Sequence, residues 1–140
     1  TTMSSMFVGA TSFNTDLSKW DVSRVNKMSS MFSGAISFNG DISKWYVSRV
    51  QNMDGMFSGA TSFNGNVTKW DVNGVSDMSA MFCSATAFNG DVSKWEVSNV
   101  ITMDAMFFHA TSFKQKLCGD DWINSKASKN DMFCSKKYFH

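Results

Sequence analysis

Apolar side chains recur along this chain at intervals that fit neither a long strand nor a sustained helical stripe. Met28, Met31, Ala35 and Phe38 stand three or four residues apart, Ile42, Trp45, Val47 and Val50 follow two to four apart, and the order begins again at Met53. The period is 25 residues. Met3, Met28, Met53, Met78 and Met103 form one column, Met6, Met31, Met56, Met81 and Met106 a second, and Phe7, Phe32, Phe57, Phe82 and Phe107 a third. Ala10, Ala35, Ala60, Ala85 and Ala110, then Phe13, Phe38, Phe63, Phe88 and Phe113, continue without exception. A branched aliphatic column (Leu17, Ile42, Val67, Val92, Leu117), a Trp column (Trp20, Trp45, Trp70, Trp95) and two Val columns complete the unit. Spacing near three predicts short elements joined by tight corners. The segment 41–45, with its β-branched and aromatic residues, is expected as a short parallel strand, and 28–33 as a short helical or 3₁₀ turn. The Asn-Gly pairs at 39–40, 64–65 and 89–90 predict a bend, since glycine tolerates a positive φ there.

With about nine apolar positions in 25 residues, one unit is too small to bury a core by itself, so each must stack on its neighbours. The expected fold is a repeat solenoid of five coils over residues 1–116, with a C-terminal cap over 117–140. At about 4.8 Å between neighbouring backbones, five coils make a rod roughly 24 Å long. The sequence contains no Pro, which would interrupt hydrogen bonds between coils.

The unit M-F-x-x-A-x-x-F-N-G-D-I-S-K-W-x-V-S-x-V-x-x-M resembles the repeat of BspA-like bacterial surface proteins, relatives of the leucine-rich repeats found in mycoplasma lipoproteins and some microbial eukaryotes. The likeness spans Met3 to Phe113. It implies a right-handed, leucine-rich-repeat-like solenoid acting at a cell surface in adhesion or protein binding, and it carries over no catalytic residue.

The pattern fades after Phe113, where Lys114 and Lys116 replace the Asn and Asp columns and Trp122 arrives two places late. Cys118 and Cys134 lie in this cap, and a bond between them would stabilise by about 3 kcal/mol on a loop-entropy estimate. Such a disulfide implies the outside of a cell or an oxidising lumen. Cys83 is expected as a partly exposed free thiol, with pairing to Cys134 as the alternative. The first coil has no cap, and the chain enters at Thr1 without an initiator Met, which suggests processing or a fragment and leaves an open face for a leader or a partner to cover.

Composition narrows function mainly by exclusion. The net charge of +1 lacks the basic surplus of a phosphate-backbone binder, so nucleic acid is not an expected partner. No run is apolar enough to span a membrane. Neither the Cys spacing nor His109 and His140 supplies four metal ligands, no nucleophile–base arrangement stands outside the repeat lattice, and no cofactor motif is present, so a non-enzyme without cofactor or metal is expected.

The polar columns are the candidate sites. Asn14, Asn39, Asn64 and Asn89 are expected as a structural ladder whose stacked amides satisfy backbone groups from coil to coil. Asp16, Asp41 and Asp91, with Asn66 in the same column, and Lys19, Lys44, Lys69 and Lys94 form the expected interaction face, the opposite charges three positions apart neutralising each other. Calcium on the Asp column is a weaker reading. Thr11, Thr61, Thr86 and Thr111 form a hydroxyl row that an ice-binding solenoid would use, interrupted by Ile36. Asn66-Val67-Thr68 is a glycosylation sequon in a secretory setting. The leading functional expectation is a surface or secreted protein-interaction module; the alternative is a structural accessory subunit docked in a large protein complex, membrane-associated or not.

Overall fold

A computed structural model describes residues 1–134. Successive 25-residue units lie side by side in parallel, each touching the next through one column of parallel bridges: Thr2 to Lys27, Lys27 to Asn52, Asn52 to Asp77, Asp77 to Thr102 and Thr102 to Ser128.

The backbone around the two Met columns explains how units adhere. In the first unit the N–H groups of Met3, Ser5, Phe7 and Gly9 donate to the carbonyls of Lys27, Ser29, Met31 and Ser33 at 2.8–3.0 Å. The second unit repeats this with Met28, Ser30, Phe32 and Gly34 donating to Asn52, Asp54, Met56 and Ser58. The intervening peptides close turns within the unit, Met31 N–H onto Met28 O at 3.2 Å and Ala35 N–H onto Phe32 O at 3.0 Å. Alternate peptide planes therefore bond between units while the rest bond inside one.

Each of these turns carries a left-handed third residue. Ser5, Ser30, Gly55, Ala80, Ala105 and Asp131 have φ between 50° and 60°, and Gly9, Gly34, Gly59, Ser84 and His109 have φ between 57° and 70°. Positive φ at the third position is the signature of a type II turn. The helical turn expected over 28–33 is thus replaced by two consecutive tight turns, because a left-handed residue every fourth place stops a right-handed helix from propagating.

No strand forms over 41–45. Ser43 N–H donates to Asp41 Oδ1 at 2.9 Å and Trp45 N–H to Ile42 O at 3.1 Å, so this segment is a corner as well. Units join here through a side chain: the indole N–H of Trp45 donates to Leu17 O at 3.0 Å, that of Trp70 to Ile42 O at 3.1 Å, and that of Trp95 to Val67 O at 3.0 Å.

The interior is a set of aromatic stacks. Phe32, Phe57, Phe82 and Phe107 follow one another at 5.5–5.7 Å between ring centroids, and Phe38, Phe63, Phe88 and Phe113 at 6.0 Å. Within a unit the two Phe rings lie 3.8–4.1 Å apart. Both Met columns from Met28 to Met106 are fully buried, and no polar residue is buried among the described residues. Burial of each large apolar side chain is worth about 1.5–3 kcal/mol, which only stacking makes available to units this small.

The glycines of the Asn-Gly pairs do not take a positive φ. They serve the Phe column instead: a Cβ on Gly40, Gly65 or Gly90 would lie 2.7–2.9 Å from Cε2 of Phe38, Phe63 or Phe88. Close approach of a ring, not a bend, requires glycine there.

After Phe113 the columns persist across insertions. Leu117 and Trp122 are buried, and the Trp122 indole N–H donates to Val92 O at 3.1 Å, as its counterparts do. The two-residue delay is absorbed by the short helix α1 (Asp120–Asn124). Ser128 then restores register, donating its N–H to Ile101 O and accepting from Met103 N–H. Residues 117–134 of the expected cap therefore pack as a continuation of the stack; residues 135–140, with His140, lie outside the described part.

Candidate interaction surface

The Asn column lies at the outer edge of the Phe stack. Asn14 Oδ1 accepts the Asn39 N–H, Asn39 Oδ1 that of Asn64, Asn64 Oδ1 that of Asn89, and Asn89 Oδ1 that of Lys114, each at 2.9 Å. The Oδ1 atoms of the column are thus engaged from unit to unit.

The Asp column is engaged within its own unit. Asp16, Asp41 and Asp91 each accept, through Oδ1, the N–H two residues on, from Ser18, Ser43 and Ser93 at 2.9 Å. Neutral Asn66 makes the same turn with Thr68 at 3.0 Å, so what the column requires is a side-chain oxygen rather than a charge. Hydrogen bonds from Ser43 and Ser93 hold the Asp41 and Asp91 carboxyls below their usual range, with Lys44 and Lys94 adding a smaller Coulombic pull. The Ser18 amide and hydroxyl do this for Asp16, whose carboxyl feels Asp41 of the next unit as a like charge. Asp21 with Ser23, Asp71 with Asn73 and Asp77 with Ser79 repeat the turn at other corners. The recurring Asp/Asn-x-Ser spacing is the signal that would have revealed these corners beforehand.

Lys19, Lys44, Lys69 and Lys94 are all exposed and carry no hydrogen bond among the described residues. Lys69 and Lys94 line a surface notch of about 340 Å³ together with Trp70, Asp71, Asn73 and Glu96. Both signs of charge therefore meet in one concavity between the third and fourth units. The column of Asp21, Tyr46, Asp71 and Glu96, which contributes the acids, was not among the expected sites.

The Thr row is partly committed to the backbone. Thr61 Oγ1 donates to Ile36 O and Thr86 Oγ1 to Thr61 O, both at 3.4 Å. Cys83, Cys118 and Cys134 are free thiols, and Cys118 and Cys134 are not brought together. Cys134 Sγ accepts the His109 N–H at 3.0 Å, where earlier units place a carbonyl, and lies 3.2 Å from His109 Nδ1. Cys118 instead follows the column of Ser18, Ser43, Thr68 and Ser93, at a different corner.

Regular 25-residue units stacked in register make this a repeat protein. The profile of the family described as Mycoplasma protein of unknown function, DUF285, matches it twice, over residues 1–85 and 44–140. The chain belongs to that family, and the overlap of the two matches is what a periodic sequence allows. No curated protein and no solved structure matches it significantly.

Proposed function

We propose that the chain is a non-catalytic interaction module of a surface or secreted protein, a leucine-rich-repeat-like solenoid that binds a partner protein through its Asp–Lys face. The observation that carries this reading is the division of labour among the columns. The apolar columns from Val22 onward are buried in the stack, no polar side chain among the described residues is buried, and the Asn and Asp columns are held by backbone N–H groups. The Lys column remains, set beside Asp71 and Glu96 in the notch, and mixed charge at a concave surface favours orientation and selectivity in protein association. The resemblance of the unit to BspA-like repeats supports a place at the cell surface, whereas the free thiols lend no support to an oxidising compartment.

The test is surface plasmon resonance over immobilised extracellular-matrix proteins. The wild-type chain is expected to bind, and the Lys44→Glu/Lys69→Glu/Lys94→Glu variant to lose binding while its thermal unfolding is unchanged. Absence of binding by the wild type, or equal binding by both, contradicts the reading.

A further inference from the structure

We propose a second site, an oxyanion notch between Arg24 and Arg49 that takes a sulfate or phosphate group carried by a larger ligand. The two arginines occupy the same third position of equivalent turns, closed by Val25 N–H on Val22 O and Val50 N–H on Val47 O, both at 2.9 Å. Register between these units is fixed by Gln51 N–H on Asn26 O at 2.8 Å, so both guanidinium stems rise from one column a single unit apart. The same position in the third unit is Gly74, whose missing side chain leaves open a concavity of about 380 Å³ lined by Arg24, Asn26, Ser48, Arg49 and Gln51.

Three observations point to an anion. No carboxylate lines the notch. The side chains of Arg24, Asn26, Arg49 and Gln51 all line the notch and make no hydrogen bond among the described residues, which leaves guanidinium and amide donors available to a ligand. The acid column that supplies Asp21, Asp71 and Glu96 to the other units supplies Tyr46 to this one, which leaves Arg49 without the countercharge that Asp21 gives Arg24. Paired planar forks with flanking amides suit the several acceptor oxygens of a tetrahedral oxyanion, and the volume leaves room for the group that bears it. The site uses columns other than the Lys face and stands whether or not that face binds protein.

The probes are inorganic sulfate and inorganic phosphate, titrated separately into the 15N-labelled chain at constant ionic strength balanced with sodium chloride. Either anion is expected to shift the amide of Gly74 and the side-chain N–H signals of Arg24 and Arg49 saturably. Arg24→Gln and Arg49→Gln each weaken the response about tenfold, as loss of a charge-assisted hydrogen bond implies. Lys69→Gln leaves it unchanged. A response to both anions assigns a general oxyanion site, and a response to one assigns the sulfate or phosphate source. No response beyond that of chloride, or an undiminished response in the Arg24→Gln/Arg49→Gln variant, overturns the proposal.

Discussion

Replacing Gly65 by alanine tests the aromatic core at one atom. The new Cβ would lie 2.7 and 2.9 Å from Cε2 and Cζ of Phe63. That ring has little freedom, being stacked 3.9 Å from Phe57 and 6.0 Å from both Phe38 and Phe88. The chain contains its own comparison, since the equivalent residues at the two ends of the repeat are Thr15 and Gln115, which do have a Cβ. There the paired rings tilt by 14°, in Phe7–Phe13 and Phe107–Phe113, against 3–5° in the three glycine-bearing units. A ring near the end of the stack yields, and one in the middle displaces its neighbours. Overpacking of this kind costs about 1–3 kcal/mol, and the reduced freedom of the unfolded alanine chain returns about 0.4–1 kcal/mol. The net expectation for Gly65→Ala is a loss of roughly 0.5–2 kcal/mol and a fall in Tm of roughly 2–8 °C. Urea denaturation followed by Trp fluorescence measures it, with Phe63→Leu added to create space. The combined variant should lose less than the sum of the two single variants. Unchanged or raised stability in Gly65→Ala would refute the reasoning.

Other consequences follow from the same contacts. Trp70→Phe removes the buried indole donor from the Ile42 carbonyl, which keeps the Trp45 N–H, so it should cost about 0.5–1.5 kcal/mol on top of the lost packing, measured by the same denaturation. Asn64→Ala removes the acceptor of the Asn89 N–H at a more exposed site and should cost less, about 0.5–1.5 kcal/mol; a loss larger than that of Trp70→Phe would reverse the assigned order. Acid should loosen the chain through its corners and through one contact between units: Asp16, Asp21, Asp41 and Asp91 at corners, and Asp104 bonded to Ser128 and Asn130 of the next unit, are all held below their usual carboxyl range by hydrogen bonds in the folded state. Their contribution is therefore complete above the unfolded carboxyl range and drains away as pH falls through the lowered folded values. A Tm that stays flat from pH 6 to pH 2, in roughly that carboxylate window, would contradict this.

The columns themselves were legible because each unit repeats one burial pattern, and Met, Phe, Trp and Val report burial directly. Local conformation was not. A separation of three residues is shared by one face of a helix and by the two ends of a hydrogen-bonded turn, so Met28 and Met31 carry no information that separates them. The deciding feature is a left-handed residue between them, held in different units by Ser5, Ser30, Ala80 and Ala105, types that do not announce positive φ. Gly40 and Gly65 misled for the opposite reason, since the ring that excludes their Cβ is visible only once the Phe columns are stacked. Among the candidate sites, the Asn and Asp columns stood out as regular, but regularity does not distinguish an oxygen bonded to its own unit from one bonded to the next. The arginine notch depends on exceptions to the repeat, Gly74 and Tyr46, which a template averages away.

The arrangement of the indole N–H groups tests the stacked register most directly. Hydrogen exchange of the five Trp side chains, read by NMR with cross-peaks to their neighbours, should show four slow indoles: Trp45, Trp70 and Trp95 in contact with the residue 28 positions earlier, and Trp122 with the residue 30 positions earlier. Trp20, partly exposed in the first unit, should exchange fast. Five indoles exchanging alike, or slow indoles whose cross-peaks join other positions, would contradict the stack.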